Sequence, residues 1–388
     1  MKIKTRICFI ILFVELSSLY TIKSQVTIGS ASPPNKGTLL DMKENDNIGA
    51  NSTKGLLLPR VELAANNILT IATGVEADLD HVGAMVFNLK KIETDETTRL
   101  CPGIHVWDGS KWHPFLPYPE VIVPPPLAGP QEDLVDPRDG ETYHTARFYS
   151  VKVSYSCTSP EPTIIDAGIW MTQNLRYTQG LTQSSTENLV TMQYATPSNT
   201  GADASLIRAN GKLYNWAAAT SQKGNTTDGQ GNVDNPPTYA ANDEQRGKPG
   251  ATTEVRRQGI CPDGWHLPTD TEFYTLEEAL KLQPELYSSQ STASDSNVGN
   301  IMKNTAGGTG LFQGTSKTSD QGGYDGLLTG FANFTSGISG YGVSTFWWSS
   351  SSFNLSNAWK RRVDNSTSSI DKTGSARYNL FPVRCKKD

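Results

Sequence analysis

The 388 residues carry 34 Lys and Arg against 39 Asp and Glu, a net charge of −5. Without residues 1–24 the balance is 30 against 38, or −8, which argues against the clustered positive charge that a nucleic-acid partner needs. The local basic runs, residues 360–362 and 386–387, are short, and a solvated strand edge is the simpler reading of the first.

In chain order, Lys2, Lys4 and Arg6 precede an apolar run over residues 7–14 that Glu15 interrupts. This is the pattern of a secretory signal peptide, with a cut expected after Ser24. Eight apolar residues are too few to span a bilayer. No second long apolar stretch follows, so no membrane span is expected. The chain reads as exported, secreted or held at the outer cell surface. Cys8 lies inside the apolar run, far from the cut, which argues against a lipid anchor there.

Residues 25–113 read as a small β-rich module. Short strands are expected at 26–28, 38–42, 83–88 and 104–107, followed by an Asp108-Gly109 hairpin turn and Trp112. Eight prolines between Pro114 and Pro137 include Pro124, Pro125 and Pro126. Such a stretch favours polyproline II, so residues 114–137 read as a semi-rigid linker. Residues 138–388 are enough to bury a core of their own.

Within that second module residues 221–258, rich in Gly, Asn, Asp and Thr, read as a long loop. Thr269 and Glu272 fit a capping box, in which each side chain satisfies the other's exposed backbone donor. Phe273, Leu276 and Leu280 follow at helical spacing, and Pro284 bars extension much past Leu282. A glycine-rich stretch over 300–345 leads to strands expected at 346–350, 358–363 and 377–385.

Four cysteines follow the leader: Cys101, Cys157, Cys261 and Cys385. An even count in an exported chain suggests disulfides, of three alternative connectivities. No pair has the C-x-x-C spacing of a zinc site. No H-E-x-x-H, G-x-S-x-G or Walker loop is present, so no catalytic residue is assigned and no cofactor is expected. His266, between Trp265 and Leu267, reads as a packing histidine. The run from Asp228 to Asp234 alternates oxygen-bearing side chains, but it lacks the sixth-position glycine and the terminal glutamate of a calcium loop. A polar loop is the better reading, and a metal site is left undetermined.

Three segments carry a resemblance: residues 259–272, with Cys261, Trp265, His266 and Pro268; the Phe346-Trp347-Trp348 strand; and Phe381-Pro382-Val383-Arg384-Cys385. Together they resemble the Fibrobacter succinogenes major paralogous domain, found on surface and secreted proteins of Bacteroidetes and Fibrobacteres. Asp139-Gly140 with Tyr143, Trp170 with Leu175, and residues 211–219 extend the likeness over 138–388. The resemblance implies an α+β, C-type-lectin-like domain, a strand at 168–175, an insertion of open fold over residues 150–165 with Cys157, a helix after residue 211, and a bond between Cys261 and Cys385. Cys101 with Cys157 then follows by elimination. Residues 26–113, with Lys54-Gly-Leu-Leu-Leu-Pro-Arg60 and the Trp107 to Trp112 hairpin, resemble tail-fibre head segments of exported Bacteroidetes proteins. That implies a connector through which the chain forms a homo-oligomer.

Trp347 and Trp348 are adjacent on a strand, so they point to opposite faces, and a one-sided core takes only one of them. Either the glycine-rich loop above the sheet buries the other as well, which is the simpler reading, or it is exposed as a stacking surface; Tyr324, Phe331, Phe334 and Tyr341 carry the same alternatives. The binding surface is expected within residues 320–355. Tyr341 and Trp347 are its stacking platforms, Trp348 is in the core, and Tyr324, Asn333, Asn354 and Ser349 lie around the site. The expected function is non-catalytic surface binding, adhesin-like or carbohydrate-recognising, with a glycan or a surface protein as partner. The alternative is a structural or terminal subunit of a fimbria or other surface assembly. An enzyme of the formylglycine-generating fold comes third, because the two family cysteines read as structural.

Overall fold

The structure is a computed structural model that describes residues 25–69, 81–94, 96–118, 120, 122–125, 127–158, 161–183, 192–197, 209–221, 258–333, 337–354 and 357–388. The expected leader, most of the loop expected at 221–258, the Asp228 to Asp234 run, and Phe334 lie outside the described residues. The chain divides into two compact units, one within residues 1–92 and 100–117, the other within 93–99 and 118–388. Among the described residues no helix is long and apolar enough to cross a membrane.

In the smaller unit β1 (Val26–Ile28) and β2 (Leu40–Met42) pair in parallel. A second sheet runs in the order β3 (Arg60–Val61), β4 (Met85–Asn88), β5 (Gly103–Trp107) and β6 (Trp112–Pro114). The β5–β6 hairpin forms where expected. Asp108 Oδ1 accepts from the backbone N–H of Ser110 and of Lys111, each at 2.7 Å, and Gly109 supplies the turn's positive φ of 103°. Trp107 and Trp112 face each other across the ladder with ring centroids 5.3 Å apart. With Leu63, Leu69, Val86 and Leu100 they make a small core.

In the larger unit β7 (Gly129–Val135), β8 (Thr142–Val153) and β9 (Pro162–Met171) form an antiparallel meander. A small sheet joins β10 (Thr182–Gln183), β11 (Gln193–Ala195) and β12 (Leu213–Tyr214). The meander is completed by β13 (Trp265–His266) and the last strand, β19 (Lys386–Lys387), in the order β13-β19-β9-β8-β7. Another five-stranded sheet contains β14 (Thr329–Asn333), β15 (Gly337–Tyr341), β16 (Ser344–Ser352), β17 (Asn357–Asp364) and β18 (Asp371–Ala376), in the order β15-β14-β16-β17-β18. Its β14–β16 pair is parallel and its other pairs are antiparallel. Among the described residues three α-helices, α1 (Trp216–Ala219), α2 (Asp270–Leu282) and α3 (Val298–Met302), complete the named elements, so the class is α+β.

Helix α2 starts on the expected capping box. Thr269 Oγ1 accepts from Glu272 N–H at 3.2 Å, and Glu272 Oε2 accepts from Thr269 N–H at 3.0 Å. Phe273, Leu276 and Leu280 are fully buried. Cys261 and Cys385 are bonded, with Cα atoms 5.8 Å apart, and Cys101 and Cys157 are each disulfide-bonded as well.

Two expectations change, and one open point is settled. Residues 129–135, placed in the linker, form an edge strand on β8, with Pro130 near its start, where a missing donor costs little. The resemblance leaves the fold of the insertion over 150–165 open; its described residues extend the β8–β9 hairpin, in register from Ser150 opposite Ile165 to Val153 opposite Pro162. Residues 377–385 are not a strand. Pro382 has no N–H to give a ladder, so the segment makes isolated bridges from Leu380 and Phe381 before β19 begins at Lys386.

Both tryptophans of β16 are core. Trp348 packs with Phe381, Trp216 and the Cys261–Cys385 bridge, and its Nε1 donates to Tyr214 O at 2.8 Å. Trp347 points the other way, among Tyr324, Leu276 and Met302, and its Nε1 donates to Asn174 Oδ1 at 3.1 Å. We expect Trp347→Ala and Trp348→Ala each to lower the unfolding free energy by ~3–5 kcal/mol in urea denaturation. A loss under ~1 kcal/mol at either position would contradict the two-core reading.

Candidate functional site

The structure does not gather the expected site residues. Trp347, Tyr324 and Ser349 are all fully buried. Tyr324 sits edge-on to Trp347 at 5.1 Å, and Ser349 Oγ donates to Trp359 O at 3.0 Å. None of the three offers a face to a ligand, which corrects the expectation of Trp347 as a stacking platform. Tyr341 and Asn354 are exposed, and Asn333 is half-buried. Tyr341 precedes β16 and Asn354 follows it, so about 26 Å of strand separates them. Asn333 lies about midway between them, level with Trp348, because β14 runs parallel to β16 with Gly330 beside Thr345.

The charged groups of the interior are already occupied. Arg361 was expected on a solvated edge. It is instead fully buried on β17, an inner strand, where its guanidinium meets the carboxylates of Asp270 and Glu277 from α2. His266 is held between Asp388, 2.7 Å from Nδ1, and Glu272, 2.9 Å from Nε2. Lys386 Nζ donates to Glu272 Oε1 at 2.8 Å. Burial opposes ionisation of Glu272, but the bonds from His266 and Lys386 outweigh it and bring the pKa down to about 2. Among the described residues no group of three or more His, Cys, Asp or Glu side chains is placed to hold a metal ion.

A different cluster lies at the Tyr341 end of the second sheet. Lys303, at the C-terminal end of α3, is fully buried, and its ammonium donates to Phe312 O at 2.6 Å, Thr367 O at 2.7 Å and Asp364 O at 2.8 Å. One cation thus ties the loop around residue 312 to the turn between β17 and β18. That turn in turn holds the β15–β16 turn: Asn365 N–H donates to Val343 O at 2.8 Å, and Asn365 Nδ2 to Gly342 O at 3.3 Å. Gly342 has φ of 72°, the left-handed region that favours glycine. Two apolar pairs project from this tied framework, Leu311 with Phe312 and Tyr341 with Val343. Leu311 is 86% exposed, Val343 49%, Tyr341 40% and Phe312 39%.

Sequence reasoning found Tyr341 and missed the rest. The available signal was a pair of apolar residues, Leu311-Phe312, stranded between Gly310 and Gly314 with no helix or strand period around them. At the other end of the sheet Phe353 is also exposed, but its ring is engaged edge-on by Trp359 at 4.6 Å.

Two outcomes follow. Lys303→Met leaves three buried carbonyls without their donor, so thermal or urea unfolding should show a loss of about 2–4 kcal/mol. An unchanged midpoint would mean that the cradle does not hold the loops. Glu272→Gln keeps the capping geometry and removes the charge. Because the folded pKa of about 2 lies below the ordinary 4.5, the unfolded chain binds that proton more tightly. The stability it contributes, roughly 3 kcal/mol, is therefore complete above pH 4.5 and lost as pH falls toward 2. The variant should be less stable at pH 7 and show a flatter stability profile between pH 4.5 and 2. A profile matching the parent's would place the acid sensitivity elsewhere.

Residues 27–125 match the model of a phage tail like trimerisation region. No curated protein and no solved structure matches the chain. Residues 165–387 match the model of the Fibrobacter succinogenes major domain, a match that covers more than half of the sequence. With Cys261, Trp265, Trp347, Trp348 and Cys385 all inside that match and all buried in its two cores, the chain belongs to the Fibrobacter succinogenes major domain family.

Proposed function

We propose that this is an exported, non-catalytic recognition protein of the cell surface, adhesin-like, presented in three copies by its N-terminal module. The observation that carries the reading is the set of exposed apolar side chains, Leu311, Phe312, Tyr341 and Val343, on loops fixed by Lys303. Exposed apolar side chains on a preorganised framework bind without a large ordering cost, and an exposed aromatic supplies contact area for a sugar ring or a protein surface. The interior supports a binding role rather than a catalytic one, since its charged groups are held in ion pairs and hydrogen bonds. A lectin-like reading of the domain is supported by its early and final strands lying side by side in one sheet, β9 against β19, closed by the Cys261–Cys385 bridge. Export is supported by the basic and apolar leader pattern of residues 1–24 and by the oxidised cysteines. Trimer formation is supported by the match over residues 27–125.

The alternative, a terminal subunit of a surface assembly, is favoured by one feature: Leu311 and Val343 are aliphatic, and a protein partner covers such groups better than a sugar does.

The test is a glycan and matrix-protein array probed with residues 25–388, beside Leu311→Ala and Tyr341→Ala. Binding should fall by about 10-fold or more in each variant, the ~1.4 kcal/mol expected of a central contact residue. Binding that survives both changes would place the contact surface elsewhere. Silence on every glycan, with capture by one protein, would favour the assembly reading.

A further inference from the structure

Of the twenty-five large apolar side chains that are exposed among the described residues, fifteen lie in the smaller unit. Among the described residues of that unit the buried apolar cluster has six members. A module with so little core is marginal alone, and exposed apolar area on this scale marks an interaction surface.

The register locates the surface. Along β4, Val86 and Asn88 are buried while Met85 and Phe87 are exposed. Alternation places Met85 and Phe87 together on the face away from the core. Val106 stands directly opposite Met85 and Ile104 opposite Phe87, so β5 adds two half-buried apolar residues to the same face. Arg60, beside Phe87, and His113, opposite Val106, border this apolar patch on the outer strands, whereas the solvated face of a two-sided sheet carries polar residues throughout. The parallel β1–β2 pair repeats the pattern, with Val26 beside Leu40 and Ile28 beside Met42, all four exposed.

We infer that the β4–β5 face, built from Met85, Phe87, Ile104 and Val106, is buried against two further copies of this chain. The occupant is a second and third copy because these strands lie within the stretch that matches a trimerisation region, and because a patch around a three-fold axis meets its own copies, which cover its apolar residues in a closed ring. The inference rests on the three-copy reading above and adds which surface closes the trimer. The trimer then completes the core that each copy lacks.

The experiment uses residues 25–388. Sedimentation equilibrium or native mass spectrometry gives the mass of the parent chain and of the Met85→Glu/Phe87→Glu variant. In a separate arm a photo-crosslinking phenylalanine analogue replaces Phe87. The parent should have three times the chain mass, the double variant should fall to the single-chain mass, and illumination should join copies through position 87. A trimeric parent with no crosslink at position 87 overturns the assigned face and leaves the trimer standing. A monomeric parent overturns both. If the double variant does not fold, the crosslinking arm decides alone.

Discussion

Nine consecutive residues, Ser344 to Ser352, are buried on β16. Consecutive side chains of a strand point to opposite faces, so this strand must be covered on both sides. The rest of the larger unit follows from that constraint. One face is covered by Trp216, Phe381 and the Cys261–Cys385 bridge, the other by α2, Tyr324 and Met302. Small serines follow the two tryptophans. Where Ser350 N–H donates to Pro268 O and Asp270 N–H donates to Ser351 Oγ, the strand secures the start of α2 instead of filling volume.

A strand covered on both sides draws polar groups into the interior, and each needs a partner. Asn174 shows how this is met. Its Oδ1 accepts from Trp347 Nε1 at 3.1 Å and from Arg384 Nε at 2.9 Å, while its Nδ2 donates to Asn210 O at 3.0 Å. Arg384 is itself buried over the Tyr324 ring at 4.3 Å, and its remaining donors go to the carbonyls of Tyr324 and Asp325. Arg361 spans from β17 to the two carboxylates of α2. Removing one member of such a set strands the others, which makes these groups structural. The surface left for recognition is where the loops end, and Lys303 holds those loops in place.

What could be read from the sequence is what local chemistry determines. The α2 capping box involves residues three apart, and the Asp108-Gly109 turn involves four consecutive residues, so both could be read directly. The Cys261–Cys385 pairing came through the family likeness. The double burial of the β16 tryptophans was one of two open readings, because periodicity shows that Trp347 and Trp348 diverge but not what covers each face. Strand β7 was hidden in a proline-rich stretch because Pro130 is harmless on an edge. The final strand was placed too early because Phe381 and Val383 look strand-like, although Pro382 interrupts the ladder. The Lys303 cradle takes carbonyls from positions 312, 364 and 367, a coincidence in space with no sequence spacing to announce it.

Hydroxyl-radical footprinting of the native protein, read by peptide mass spectrometry, tests the central claim most directly, since it reports side-chain access at every residue in question in one experiment. The account predicts protection of Trp347, Trp348 and Tyr324 and strong labelling of Leu311, Phe312 and Tyr341. Labelling of Trp347 at a rate comparable to Tyr341 would contradict it: β16 would then have an open face, and the recognition surface would lie along the strand instead of at its loop end.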